Sequence, residues 1–271
     1  MKTYAKTGQK STKQLISSMN IHDKIKELAN KARNQNAENN QSTKYLVNSF
    51  SNYTEEELTK LIKHNFLLTL KKNLAKIGNA YVENNQNRYY TQLLAEYFSN
   101  NPKFNNYRFS AGNINFNYNT LKSLFLVGNP GRSKSEYMNI FNNVITRLQS
   151  SQKFITLYSK DIANDFEKKG AEAISILKVQ YSDKHLCIEE LGLDPTTIKH
   201  FSNEYRPLED IIEWRYRLFT TRGIKTHFVS MFSLEILQKK YQPHIYSRLL
   251  GMTNYIIIDD INYRPQISSA T

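Results

Sequence analysis

Cysteine is almost absent: Cys187 stands alone in 271 residues, which excludes an internal disulfide framework and a cysteine-rich zinc site and fits a reducing compartment such as the cytoplasm. Long hydrophobic runs are missing as well. No apolar stretch approaches the roughly 18 residues that span a bilayer, and the start, Met1-Lys2-Thr3-Tyr4-Ala5-Lys6, leads into polar residues, so neither export nor membrane insertion is expected. The histidines, His22, His64, His185, His200, His227 and His244, are scattered, with no pair at helix-face metal spacing beside an acid, which argues against zinc. No Gly-x-Ser-x-Gly elbow and no internal repeat occur. Acids are outnumbered by bases, 24 Asp plus Glu against 37 Lys plus Arg, and the resulting +13 favours polyanionic partners: nucleic acid, acidic protein surfaces or nucleotides.

What is present falls into three parts. Residues 1–52 form a basic, polar segment, rich in Lys, Asn, Gln and Ser, with one periodic stretch from Leu15 to Leu28 and a linker-like run from Asn34 to Ser42. Residues 53–106 read as a helical, partner-binding region. There Thr54 caps a helix opened by Glu55-Glu56-Glu57, with Leu58, Leu61, Ile62, Phe66, Leu70, Leu74 and Ile77 at helical spacing and Gly78 as the stop. A second helix runs from Tyr89 to Phe98 and ends before Asn100-Asn101-Pro102. Residues 107–271 change character. Short apolar runs at Leu124–Val127, Phe154–Tyr158, His185–Ile188, Thr226–Val229 and Tyr255–Ile258 alternate with helical patterns such as Leu208–Phe219 and Ser233–Tyr241. That alternation predicts an α/β core: a mostly parallel, five-stranded sheet flanked by helices.

The first of these apolar runs leads into Gly128-Asn129-Pro130-Gly131-Arg132-Ser133-Lys134-Ser135 and then into an amphipathic helix carrying Tyr137, Ile140, Phe141, Val144 and Leu148. A phosphate-binding P-loop reads G-x-x-x-x-G-K-[ST], in which backbone amides wrap the phosphates, the lysine neutralises them and the hydroxyl holds Mg²⁺. Gly128, Lys134 and Ser135 are in register, whereas the second motif glycine is Ser133. An ordinary strand-to-helix turn with a solvated lysine is the competing reading, but the flanking strand and helix favour the loop. A side chain at Ser133 raises a conformational cost of about 1 to 3 kcal/mol where glycine has none. The cofactors implied are ATP and Mg²⁺.

Such a loop needs a second strand ending in acids, one carboxylate reaching Mg²⁺ through water and another polarising the attacking water. Leu186-Cys187-Ile188-Glu189-Glu190 has that form, with Glu189 on the metal side, together with Ser135, and Glu190 oriented to water. Aromatic and basic residues also mingle at Arg88-Tyr89-Tyr90 and Trp214-Arg215-Tyr216-Arg217, a composition able to hold nucleic acid. Amphipathic spacing instead favours Trp214, Leu218 and Phe219 burying a helix face while Arg215 and Arg217 are solvated.

Across roughly 89–264 the sequence resembles the DnaC-like and IstB-like AAA+ ATPases, which include replicative helicase loaders and transposition helpers. The resemblance is carried by Gly128–Ser135, by Cys187–Pro195 and by Gly223–Glu235 followed by Tyr241–Leu249. Glu190-Leu191-Gly192-Leu193-Asp194-Pro195 with Lys199-His200-Phe201 is similar to helicase-loader-like proteins of mobile elements and phages, especially in Bacteroidota. The resemblance implies a homo-oligomer in which Arg248 acts in trans as an arginine finger, with Arg264 as a further phosphate sensor. It implies a replicative helicase and single-stranded DNA as partners; a transposase on duplex DNA, or a noncatalytic adaptor role, are the alternatives. The family's polar Asn at the end of the Thr226–Ser230 strand is replaced by Met231, which accepts hydrogen bonds only weakly, with Ser230 as the neighbour able to compensate. Ser133, Glu189 and Met231 together predict weak hydrolysis.

Overall fold

A computed structural model describes residues 53–111, 114–200 and 203–259. The expected helix near Leu15, the linker at 34–42 and Arg264 lie outside them.

The described chain opens with helix α1 (Glu55–Lys76). Its start is set by a reciprocal cap: the Glu57 amide donates to Thr54 Oγ1 at 3.2 Å and the Thr54 amide donates to Glu57 Oε2 at 2.9 Å. Ile62, Phe66, Leu70 and Leu74, four apart, are buried, so one stripe of α1 is held inside the molecule. Helix α2 (Asn85–Phe98) begins four residues earlier than the apolar pattern alone indicates, because Asn84 and Asn87 form a second capping box. A 3₁₀ turn (Pro102–Asn106) leads into a small antiparallel hairpin, β1 (Arg108–Ala111) and β2 (Ile114–Asn117).

The central layer is a five-stranded sheet built from β3 (Ser123–Val127), β4 (Phe154–Tyr158), β5 (His185–Glu189), β8 (Thr226–Ser230) and β9 (Thr253–Ile257). Their order across the sheet is β4-β5-β8-β3-β9, and every pairing is parallel. The strands fall within two residues of the apolar runs that predict them. Helices α3 (Lys134–Arg147), α4 (Ser159–Lys169), α5 (Ala171–Tyr181), α6 (Pro207–Arg222), α7 (Leu234–Lys240) and α8 (Pro243–Gly251) connect the strands, and a short hairpin, β6 (Ile198–His200) with β7 (Asn203–Tyr205), precedes α6. Strands β3, β5 and β8 are buried along almost their whole length, as a sheet covered on both faces requires.

The helical region and the sheet share one hydrophobic core. Phe66 of α1 stacks on Phe141 of α3 at 4.3 Å between centroids and meets Tyr137 edge-on at 5.2 Å, and Phe98 of α2 stacks on Phe141 at 5.3 Å.

Arg215 corrects the expectation that it is solvated. It is fully buried, and its guanidinium donates to Thr226 Oγ1 and to the carbonyls of Tyr181, Lys184 and Lys225. A planar five-donor fork suits that task, tying α6 to the entry of β8 and the turn before β5. Arg217 is exposed, as expected, and Trp214 is half-buried.

Candidate nucleotide site

In an open parallel sheet, loops at the carboxyl ends of the strands gather beside one another, and ligands bind there. The carboxyl ends of β3, β5 and β8 are neighbours in this way, and a cavity of about 680 Å³ lies over them. Residues 130–136, from the loop after β3 and the first turn of α3, Glu189 and Glu190 at the end of β5, and Ser230 and Met231 at the end of β8 all line it. Asn139 of α3 and Leu193 contribute, and so do Leu70, Asn73, Leu74, Lys76 and Ile77 from the last turns of α1.

Gly128 starts the loop at φ 155°, and a Cβ there would collide with the carbonyl oxygen of Ile258, the residue after β9, which leaves room for glycine only. Gly131 lies at φ 81°. Ser133 caps α3 at φ 56°, ψ 11°, in the left-handed region, without a side-chain capping bond. The loop therefore takes at Ser133 a backbone turn that glycine adopts freely and serine only at a cost of about 1 to 2 kcal/mol. Arg132 turns aside to Asp259, 3.3 Å away. Lys134 is buried, and its ammonium donates to the carbonyl oxygens of Gly128 at 2.6 Å and Asn129 at 2.8 Å. The lysine is thus folded into the cradle of its own loop.

Ser135 Oγ donates to Glu189 Oε2 at 2.6 Å, which brings the two residues expected on the metal side into contact. Glu189 is almost wholly buried. Desolvation pushes its carboxyl above the usual range, with Glu190 adding to the rise, while the Ser135 bond and the nearby Lys134 charge oppose it. Its other oxygen, Oε1, has no hydrogen-bond partner among the described residues. A hydroxyl, a carboxylate and an orphaned buried oxygen fit a hard, hydrated cation such as Mg²⁺, which would neutralise the carboxylate and the phosphates together. Glu190, by contrast, is exposed, at φ 59°. Its carbonyl accepts from the buried Ser159 hydroxyl at 2.7 Å, so the turn aiming Glu190 is anchored on α4.

Ser230 does not compensate for Met231. Its hydroxyl donates to the Leu191 carbonyl at 2.7 Å and accepts from the Phe232 amide at 3.0 Å, bracing the acidic turn instead of facing the cavity with a free donor. Met231, partly exposed, presents a thioether there. Arg248 is not among the residues lining the cavity; it pairs with Glu213 at 2.9 Å and lies over the Tyr216 ring at 5.8 Å. The spacing of the motifs gives no sign of the wall formed by α1 or of the Ser159 anchor. Both depend on contacts between segments far apart in sequence.

A strand, a glycine-bearing loop, a helix and an acidic strand end surround one cavity in an all-parallel five-stranded α/β sheet flanked by helices, with a helical region packed ahead of it. The chain matches no protein-family model and no curated protein. Among solved structures it is similar to a candidate primosome component from Streptococcus pyogenes serotype M3, at 16% identity and TM-score 0.47 over 68% of this chain and 85% of the other. It is similar to the DnaC helicase loader at 17% identity and TM-score 0.39, over 51% and 79% of the two chains. AMPPCP-bound DnaA from Aquifex aeolicus gives 15% identity and TM-score 0.43, over 68% of this chain and half of that one. These are likenesses of outline, and the functional reading rests on the cavity. Among the described residues no helix is long and apolar enough to cross a membrane, and no group of His, Cys, Asp and Glu is placed to hold a metal through protein ligands alone.

Proposed function

We propose that the chain is an ATP-binding switch that hydrolyses its nucleotide weakly and acts as a replication accessory factor of the helicase-loader kind. The observation that carries the nucleotide reading is the convergence of Lys134, the Ser135–Glu189 pair and Glu190 on one cavity at the carboxyl ends of three neighbouring strands. In this reading Lys134 exchanges its two loop carbonyls for phosphate oxygens, and the backbone amides of residues 130–135 surround the phosphate chain. Ser135 and Glu189 hold Mg²⁺, the latter through water, and Glu190 orients the attacking water. Hydrolysis is slow because Met231 offers that water no donor and the neighbouring hydroxyl is engaged with Leu191.

The partner assignment rests on the sequence resemblance. A replicative helicase bound through the helical region, single-stranded DNA bound by the basic core and a homo-oligomer using Arg248 in trans make a coherent loader. Hydrolysis then serves as the release step. A transposition helper differs in partner and in preferring duplex DNA.

Nucleotide binding and ATP turnover by the wild type, Lys134→Ala and Glu190→Gln, with and without single-stranded DNA, test this reading. Wild-type binding that is lost in Lys134→Ala, and turnover reduced in Glu190→Gln with binding retained, are the expected results. No binding at millimolar ATP would leave a noncatalytic adaptor, a reading favoured by the lysine's bonds to its own loop. A pull-down against helicase and transposase candidates then separates the partners.

A further inference from the structure

We infer that Asp194 and Tyr241 form a clasp that holds the turn carrying Glu190 in place, which makes Tyr241 a positioning residue for ATP hydrolysis with no part in binding the nucleotide. The inference rests on the nucleotide reading above and adds to it two residues that stand behind the cavity wall.

The chain leaves the end of β5 through a turn that its own residues do not favour. Glu190 lies at φ 59° and Gly192 at φ 97°, both left-handed, and the first of them carries a side chain. A Cβ at Gly192 would come within 2.6 Å of the Phe232 ring and 2.9 Å of Leu237, so the start of α7 is pressed against the turn. Such a turn has to be held from outside. On the side of β8 the Leu191 amide donates to the Val229 carbonyl at 2.9 Å, and on the side of α4 Ser159 holds the Glu190 carbonyl. The Leu193 amide, donating to the same carbonyl at 3.0 Å, closes the turn.

The third point of attachment is Asp194, which is buried. Its Oδ1 accepts from the Gly192 amide at 3.0 Å and from the Tyr241 hydroxyl at 3.2 Å. Lys240 donates to the Asp194 carbonyl, and its ammonium stands 3.8 Å from Oδ2. A buried carboxylate left short of donors is strongly destabilising, so Asp194 stays where these donors are. Tyr241 is buried too, and burial, with the Asp194 charge beside it, pushes its hydroxyl well above the ordinary range, which keeps it a donor. Next along the chain the Gln242 amide donates to Glu209 Oε1 at 3.1 Å, and the clasp is thereby fastened to α6. Glu190 and Leu193 line the cavity, whereas Asp194 and Tyr241 do not, so the clasp reaches a ligand there through the turn alone. Loosening it displaces the acid that orients water and leaves the loop after β3 as it is.

ATP turnover and calorimetric binding of ATP with Mg²⁺ are measured on the full chain for wild type, Tyr241→Phe, Glu190→Gln, the double variant and Tyr118→Phe. Tyr118 is the matched control, since its buried hydroxyl donates to the Tyr255 carbonyl at 2.8 Å and it does not line the cavity. Tyr241→Phe is expected to lower kcat about ten-fold, the effect of a small misplacement of a reacting group, with ATP affinity within about two-fold of wild type. Tyr118→Phe is expected to change neither. In the Glu190→Gln protein, where the positioned carboxylate is already gone, Tyr241→Phe is expected to lower kcat by less than about two-fold further. An unchanged kcat in Tyr241→Phe, an equal loss in Tyr118→Phe, or a full ten-fold loss on top of Glu190→Gln overturns the inference. So does a wild type that binds ATP without turning it over, and each of these results leaves the nucleotide site standing. A wild type that binds no ATP overturns both.

Discussion

Ser133 holds a left-handed backbone at the N-cap of α3, where the P-loop motif ordinarily has glycine. Ser133→Gly removes that strain, and we expect stability to rise by about 1 kcal/mol with tighter nucleotide binding; denaturant unfolding and ATP titration check both. Glu189 makes a prediction of opposite signs. Its folded-state carboxyl is raised above the unfolded value, so the folded protein binds that proton more tightly and loses stability as pH rises past the unfolded pKa. At neutral pH the ionised Glu189 therefore destabilises the nucleotide-free protein. Glu189→Gln should stabilise that form by about 1 kcal/mol while reducing the extra stabilisation given by Mg²⁺ with ATP. Thermal unfolding with and without Mg²⁺–ATP separates the two effects. Acidic residues at a strand end announce themselves in the sequence. That Glu189 is buried against Ser135 while Glu190 turns outward on a left-handed residue does not, because burial and the local turn depend on segments far apart in sequence.

Among the elements, β3, its loop and α3 were the most legible, since a fixed spacing of glycine, lysine and serine needs that strand and helix around it. Helix α1 was legible as a helix, from Thr54 and the stripe at Ile62, Phe66, Leu70 and Leu74, but its partner was not. Periodicity tells which face is apolar and not what covers it. Arg215 was hidden for a related reason: its four acceptors come from two segments distant from it in sequence or across a turn, and a basic residue beside tryptophan reads as surface. At the opposite, amino-terminal ends of β5 and β8, His185 Nδ1 accepts from the Lys225 amide and His227 Nδ1 from the Leu124 amide, so both rings are held neutral. Burial, with Lys225 and Arg215 nearby, depresses His185 to about 4 and His227 well below its ordinary value. Both take up protons more readily when unfolded, so stability should fall as pH drops from about 6.5 towards about 4 for His185. Urea unfolding at pH 7, 6 and 5 should show this loss, and it should be smaller in His185→Gln. An unchanged midpoint across that range would contradict the burial of these rings.

At the scale of the whole molecule, the helical region and the sheet share a core and both supply walls to one cavity, so a ligand held there touches the loop after β3, the acidic strand and α1 at once. That arrangement is what a switch requires, since a ligand shifts an equilibrium only by binding one state better than another. The chain's +13 charge belongs to this scale also, favouring polyanionic partners without specifying one. All of it depends on the cavity being a nucleotide site. The most direct measurement is equilibrium binding of ATP with Mg²⁺ to the wild type and to Lys134→Ala in parallel. Saturable binding by the wild type and its loss in Lys134→Ala are predicted. Binding by neither protein, or by both with equal affinity, would contradict the account.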